Sequence, residues 1–517
     1  LGLKLRVKLM GLEAGGKLIA ILNHDDAEEM GAHSQGRLNV SFKGEQATAI
    51  INTARRYVEK GEIGVFHELA ERLKVKEGDF VDVQISKPPR STAYIKNRLA
   101  GRKLSREEIF EIVKDVVSGS LSEIEITAFV TSLCHHSLDL EEALNLSLAM
   151  VETGKTLEFN SGLKVVDKHS IGGVPGDKTT LIVVPIIAAY GLTIPKCSSR
   201  AITSAAGTAD RAETLMPVEF TLEDVKKIVE KTSGCIVWGG ALQLSPADDI
   251  FIQVEFPLSI DPLLLPSIMS KKKAIGSRYV VIDIPCGLGA KIKTLNQANL
   301  LARDFIELGS RLGMKVRCAV TYGSQPVGYA IGPALEAREA LTNLMQGFGS
   351  PDLLDKATDI AGMMIEMVGG GDGKAEAISL LETGKAERKL REIIEAQGGN
   401  PNIKPENIPI GEHAFTVKSD MSGYILWIDN DAVVDIARSA GAPKDKGAGV
   451  QLNRKVGDPV KAGDPLFTIY AEKESRLDQA LSTLQASKPI GVGERMEMLM
   501  SVVKAPEITL EKFILER

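Results

Sequence analysis

The chain has 517 residues, enough for about three or four domains at roughly 100 to 200 residues each, so a single small module is excluded. Hydrophobic residues at 44% and charged residues at 25% place it among folded chains. Lys and Arg number 62 against 68 Asp and Glu, a net charge of −6, which leaves no basic footprint for nucleic acid or an anionic membrane.

The elements follow in chain order. The N-terminal run LGLKLRVKLM alternates apolar with basic residues and predicts a strand rather than a secretion signal. A second alternating run, 17–22, follows Gly15-Gly16; further strands are expected at 38–42, 47–51 and 80–85, with a short helix at 67–73. These form a small β-barrel-like domain over 1–88, ending at the aperiodic Lys87-Pro88-Pro89-Arg90. Ser105 and Glu108 then form a capping box ahead of an apolar face at Ile109, Ile112, Val113, Val116 and Val117. Helices at 123–134 and 140–152 complete a helical block, with Gly154 as a stop signal. Next come strands at 163–166, 193–196, 235–237, 279–284 and 315–320, alternating with helices at 178–190, 222–231 and 295–312. This alternation predicts a largely parallel sheet.

The fold class is therefore multidomain α/β. A helical domain is expected at 90–160 with a return at about 245–278. An α/β domain takes 161–244 and 279–410, and a C-terminal α+β domain takes 411–517. The glycines from Gly369 to Gly373 read as a flexible connection. In the last hundred residues, two Gly-Asp-Pro turns punctuate short strands. No lysine sits at a turn tip to carry a lipoyl or biotinyl group, so packing or assembly is the expected role. Cys134, Cys197, Cys235, Cys286 and Cys318 have no metal-ligand or disulfide spacing, which points to a reducing cytoplasm and no metal. The most apolar stretch, 181–192, contains Pro185 and falls short of the roughly 18 to 20 residues that span a bilayer.

Two segments carry chemistry. In VVDKHSIGGVPGDKTT (165–180) a strand runs into Lys168, His169 and Ser170, then Gly172, Gly173 and Gly176, then a helix. Glycines at a strand-to-helix turn let amides approach an anion, and the helix start and Lys168 add positive charge. This reads as a phosphate cradle, the alternative being a merely structural glycine turn, and it is not a Walker A loop, because the G-K-[ST] ending is absent. The segment PKCSSRAITSAAGTAD (195–210) places Ser198, Ser199, Arg200, Thr203, Ser204 and Thr208 among small residues, suited to phosphate and sugar oxygens or to a polar surface loop.

The paired signatures K-H-S-x-G-G-V and S-x-R…G-T-x-D resemble the thymidine and pyrimidine nucleoside phosphorylase family, and SIMSKK (267–272) extends the likeness over roughly 90–517. Four departures are similar to the archaeal branch that cleaves nucleoside 5′-monophosphates, the AMP phosphorylases. The second loop lacks a histidine, and the first carries Pro175. The base-binding arginine has no counterpart in FIQVEFPLSIDP, and residues 1–88 precede the shared region.

The resemblance implies a pentosyltransferase that needs no cofactor: phosphate attacks C1′ of AMP, giving adenine and ribose 1,5-bisphosphate. CMP and UMP are further expected substrates. By motif position, Lys168, Ser170, Thr180, Ser199 and Thr208 hold the attacking phosphate. Gly173, the loop Ser199, Arg200, Ala201, Ile202, Thr203 and Ser204, together with Thr208, Ser267 and Lys291, hold the nucleotide. Asp261 matches the proton donor, and its apolar surroundings predict a carboxyl biased toward its neutral form; the alternative is a helix cap ahead of Pro262. In Lys271-Lys272-Lys273 the expectation is a solvated helix face, although Lys271 falls where nucleoside phosphorylases contact the base. His135-His136 reads as a surface helix end, and His169 as either a ligand contact or a loop hydrogen bond. A nucleoside phosphorylase acting on thymidine or uridine, and a non-catalytic nucleotide binder, are the competing readings. The terminal β-rich units are expected to build a homo-oligomer.

Overall fold

The computed structural model describes residues 2–494 apart from 161, 202 and 203. Strands β1 (Gly2–Leu9), β2 (Ile19–Asn23), β3 (Arg37–Phe42), β4 (Glu45–Ala54), β5 (Glu62–Val65) and β6 (Phe80–Ile85) close into a barrel in the order β1-β5-β2-β4-β3-β6. Alternation along β1, β3 and β6 turns Leu5, Val7, Leu38, Val40, Val81 and Val83 into its core. Two pairings are parallel, β1 with β5 and β2 with β4. The strand β5 was not expected: all four of its residues are buried, so EIGV shows no period-2 signal. The helix His24–Met30 was not expected either, and Asn23 caps it by accepting the Asp25 amide.

Helices Ser91–Leu99, Arg106–Val117, Glu123–His135 and Leu140–Glu152 follow, with the Ser105–Glu108 capping box formed. Helices Pro246–Leu258 and Leu264–Ala274 pack back onto this block, and Phe251 shares a core with Ile112, Phe129 and Leu146. Buried Arg98 is paired with Glu142 at 2.8 Å.

The α/β sheet contains β7 (Val166–Ser170), β8 (Ile194–Ser198), β9 (Gly234–Trp238), β10 (Tyr279–Cys286) and β11 (Lys315–Tyr322). The orders β11-β10-β7 and β8-β9 are parallel throughout, and a Val165–Thr193 bridge joins the two pieces. The chain leaves β7 toward β8 and β9, then returns to β10 on the other side. A crevice lies at the carboxyl ends of β7 and β8, lined by the loops that follow them. Helix Thr179–Tyr190 is buried along nearly its whole length, as its apolar sequence demands. At the end of the Gly369 to Gly373 connection the chain packs closely: a Cβ on Gly373 would stand 2.1 Å from the Gly362 carbonyl, so two helices touch backbone to backbone.

The C-terminal region forms two antiparallel sheets. One contains Ala330–Ile331, Gly449–Leu452, Pro465–Ala471 and His413–Lys418; the other contains Pro459–Val460, Gly423–Ile428 and Ile490–Gly493. Among the described residues no helix is long and apolar enough to cross a membrane.

Candidate active site

β7 delivers Lys168, His169 and Ser170 to the crevice, and the glycine turn leads into helix Thr179–Tyr190. Gly173 has φ +88°, and a Cβ there would stand 2.8 Å from Lys291 Cγ, so only glycine lets the turn lie against the loop after β10. The loop after β8 is folded back by Asp210, whose Oδ2 accepts the Ala201 amide at 2.7 Å and the Gly207 amide at 2.9 Å. Between the two loops lies a cavity of about 180 Å³. Lys168, Ser170, Gly173 and Thr180 line it from the first loop, and Ser199, Ser204 and Thr208 from the second.

Positive charge concentrates at its floor. Lys168 is 2% exposed, and its ammonium makes no hydrogen bond or ion pair among the described residues. Burial pushes its pKa down, against the pull of Asp177 and Asp283. Lys196 donates to the carbonyls of Lys168 at 2.8 Å and Cys197 at 3.0 Å, and burial lowers its pKa to about 7 although Asp167 lies 3.6 Å away. His169 lines the same cavity; burial, Lys272 and Lys196 push its imidazole well below its ordinary range, so it is neutral at pH 7. On the far wall Arg211 is engaged by Glu336 at 2.9 Å, by the Ala206 carbonyl at 2.8 Å and by the Asp177 carbonyl. Burial disfavours the charge on Asp177, but Lys356 at 3.2 Å and Lys168 outweigh it and hold the carboxyl well below its usual range.

The remaining expected residues among those described sit outside this cavity. Arg200 is clamped by Glu213 at 2.7 Å and Glu219 at 3.0 Å, with its guanidinium 4.9 Å from the Trp238 ring, so it braces the loop from behind. Ala201 contributes its amide to Asp210. Ile202 and Thr203 lie outside the described residues. Ser267 is half-buried on helix Leu264–Ala274. Asp261 faces Lys291 at 3.0 Å, and both side chains are half-exposed, at 42% and 47%. This corrects the expected burial of Asp261: the leucines after it turn into the cores while the carboxyl points outward.

The lysine run is also corrected. Lys272 is buried and donates to Asp167 at 2.5 Å, Lys271 pairs with Asp248, and Lys273 alone is exposed. His135 and His136 are exposed at a helix end. Sequence reasoning missed Lys196, Asp210, Arg211 and Glu336. For Asp210 a signal was present, since the carboxylate of G-T-x-D stands three residues after Gly207 and can reach back to its amide, as in a capping box. Asp210→Ala strands two loop amides. It is expected to destabilise the protein by about 1 to 3 kcal/mol, as measured by thermal unfolding.

Three stretches match known family models: residues 92–154 the glycosyl transferase family helical bundle domain, 162–387 the glycosyl transferase family a/b domain, and 424–491 the pyrimidine nucleoside phosphorylase C-terminal domain. The chain is 51% identical to an AMP phosphorylase of Thermococcus kodakarensis over 95% of its own length and 98% of the relative's. It is 51% identical to that of Pyrococcus furiosus over 94% and 97%. With that of Thermofilum pendens, identity is 45% over all of both chains. The anthranilate phosphoribosyltransferase of Thermus thermophilus shares the fold at a TM-score of 0.50 and 19% identity, covering 59% of this chain and 98% of that one.

Proposed function

The chain belongs to the AMP phosphorylase family, and from that premise we propose that it is a pentosyltransferase converting AMP and phosphate to adenine and ribose 1,5-bisphosphate, with CMP and UMP as further substrates. The observation that carries the reading is Lys168, a buried lysine whose ammonium makes no hydrogen bond or ion pair among the described residues and which lines a polar cavity, an arrangement that calls for an anion there. Orthophosphate fills that role, with Ser170, Thr180, Ser199 and Thr208 as hydrogen-bond partners. Gly173, touching Lys291, marks the side on which the nucleotide lies, between the cavity and the Asp261–Lys291 pair.

In this arrangement a phosphate oxygen attacks C1′ as the C1′–N9 bond breaks, and Asp261 gives a proton to the departing base. Holding both anions in line supplies the orientation that bimolecular attack lacks in water. The lysines around Asp167 offset the repulsion between the anions. Self-association belongs to the same reading, supported by exposed Phe415, Tyr424, Leu426 and Trp427 on the C-terminal sheets.

Incubation with phosphate and AMP, CMP, UMP or thymidine, with free base measured by chromatography, tests the reading. Base is expected from the three nucleotides and none from thymidine. Cleavage of thymidine without AMP, or of nothing, overturns it.

A further inference from the structure

We propose that Glu255 is the proton partner of Asp261: a carboxylic acid held behind it that positions the turn carrying Asp261 and supplies the proton Asp261 gives to the base. The inference rests on the AMP phosphorylase reading of the site. Its geometry comes from helix Pro246–Leu258, whose last turn carries Glu255 with only 6% of its surface exposed. The backbone carbonyl of Glu255 accepts the Ile260 amide at 3.2 Å, and its Oε1 accepts the Leu263 amide at 3.3 Å. One residue thus brackets Asp261 from both sides. The bracket spans a turn opened by Ser259 at φ +53°, a conformation that a non-glycine residue adopts only when its surroundings impose it.

The charges facing Glu255 come from every element around it. Asp248 lies on its own helix, Asp261 on the following turn, Lys291 on the loop after β10, and Cys134 on helix Glu123–His135. Burial first, then Asp261 and Asp248, push the Glu255 carboxyl up to about 8, against the Leu263 amide and Lys291. Glu255 therefore holds a proton at neutral pH, beside a turn on which Asp261 is paired with Lys291 at 3.0 Å. It is the buried acid that the chemistry of adenine departure asks for.

The proton balance is closed. When the nucleotide's 5′-phosphate draws Lys291 off Asp261, the Glu255 proton passes to the Asp261 carboxylate, directly or through one water. Asp261 then gives it to N7 as phosphate bonds to C1′ and the C1′–N9 electron pair enters the purine. Adenine leaves neutral, and Glu255 takes its next proton from solvent.

Glu255→Gln preserves the acceptor for the Leu263 amide and removes the exchangeable proton. Expected is a fall in kcat for AMP of about 10-fold, with KM for AMP and phosphate within about two-fold, and loss of the alkaline fall in kcat near pH 8. Wild-type kcat and pH profile in this variant would show that Glu255 only holds the turn, and would overturn the proposal.

Two further readouts do not depend on activity. A carboxyl raised from 4.5 to about 8 makes the folded state bind more protons than the unfolded one in that window, so wild-type stability falls as pH rises through it. The thermal midpoint of the wild type should therefore drop across this range relative to Glu255→Gln. In the unmutated enzyme at neutral pH, infrared spectroscopy should show a protonated carboxylic acid that titrates away near pH 8. Absence of that band overturns the proposal even if Glu255→Gln fails to fold. An enzyme that shows the band yet leaves AMP intact sinks the functional reading instead.

Discussion

Asp261→Asn is expected to lower turnover on AMP by about 10² to 10⁴-fold without moving the thermal unfolding midpoint. Both parts follow from where the side chain lies. Its ion pair with Lys291 is half-exposed, and such pairs are worth about 0 to 1 kcal/mol, so its loss costs the fold little. Adenine is a poor leaving anion, and Asn cannot deliver a proton to it. A ribose 5-phosphate bearing 4-nitrophenolate, which departs without protonation, should be cleaved by the variant nearly as well as by the wild type. Steady-state kinetics on both substrates, with calorimetry alongside, check the expectation. Near-normal turnover of AMP would remove Asp261 from the mechanism.

Lys168→Met separates activity from stability in the opposite sense. Burial already disfavours the Lys168 ammonium, and an apolar side chain of similar length relieves that cost, so the unfolding midpoint should hold or rise. The orthophosphate loses a buried ammonium that makes no hydrogen bond or ion pair among the described residues, and kcat/KM for phosphate should fall by about 10² to 10³-fold. Phosphate titrations at saturating AMP read this directly. An unchanged KM for phosphate would place the anion elsewhere.

Much of this was legible because the governing signals are local. The Ser105–Glu108 capping box, the alternation in the barrel strands and the glycine turn after Lys168 each need only neighbouring residues to be read. What escaped depends on partners far along the chain. A run of three lysines looks like a solvated face until Asp167 and Asp248 meet two of them. The apolar neighbours of Asp261 implied a buried carboxyl, yet a turn sends alternate residues in opposite directions, and burial falls on Glu255 one helix earlier. Strand β5 was invisible because a segment buried on both faces carries no alternation.

The C-terminal region was expected to serve packing or assembly, but its sheet begins inside the catalytic unit. Ile331 lines the cavity between the two loops and pairs with Val450. Lys446 reaches Glu213 at 2.8 Å, on the clamp that holds Arg200, and Asn430 holds the carbonyls of Gly289 and Gly323 at 3.0 Å each. The described C-terminal residues up to 494 are thus a keel fastened to the cavity wall and to the loops beside it. Hybrids that swap this tail between relatives therefore exchange groups that brace the cavity along with the outer surface.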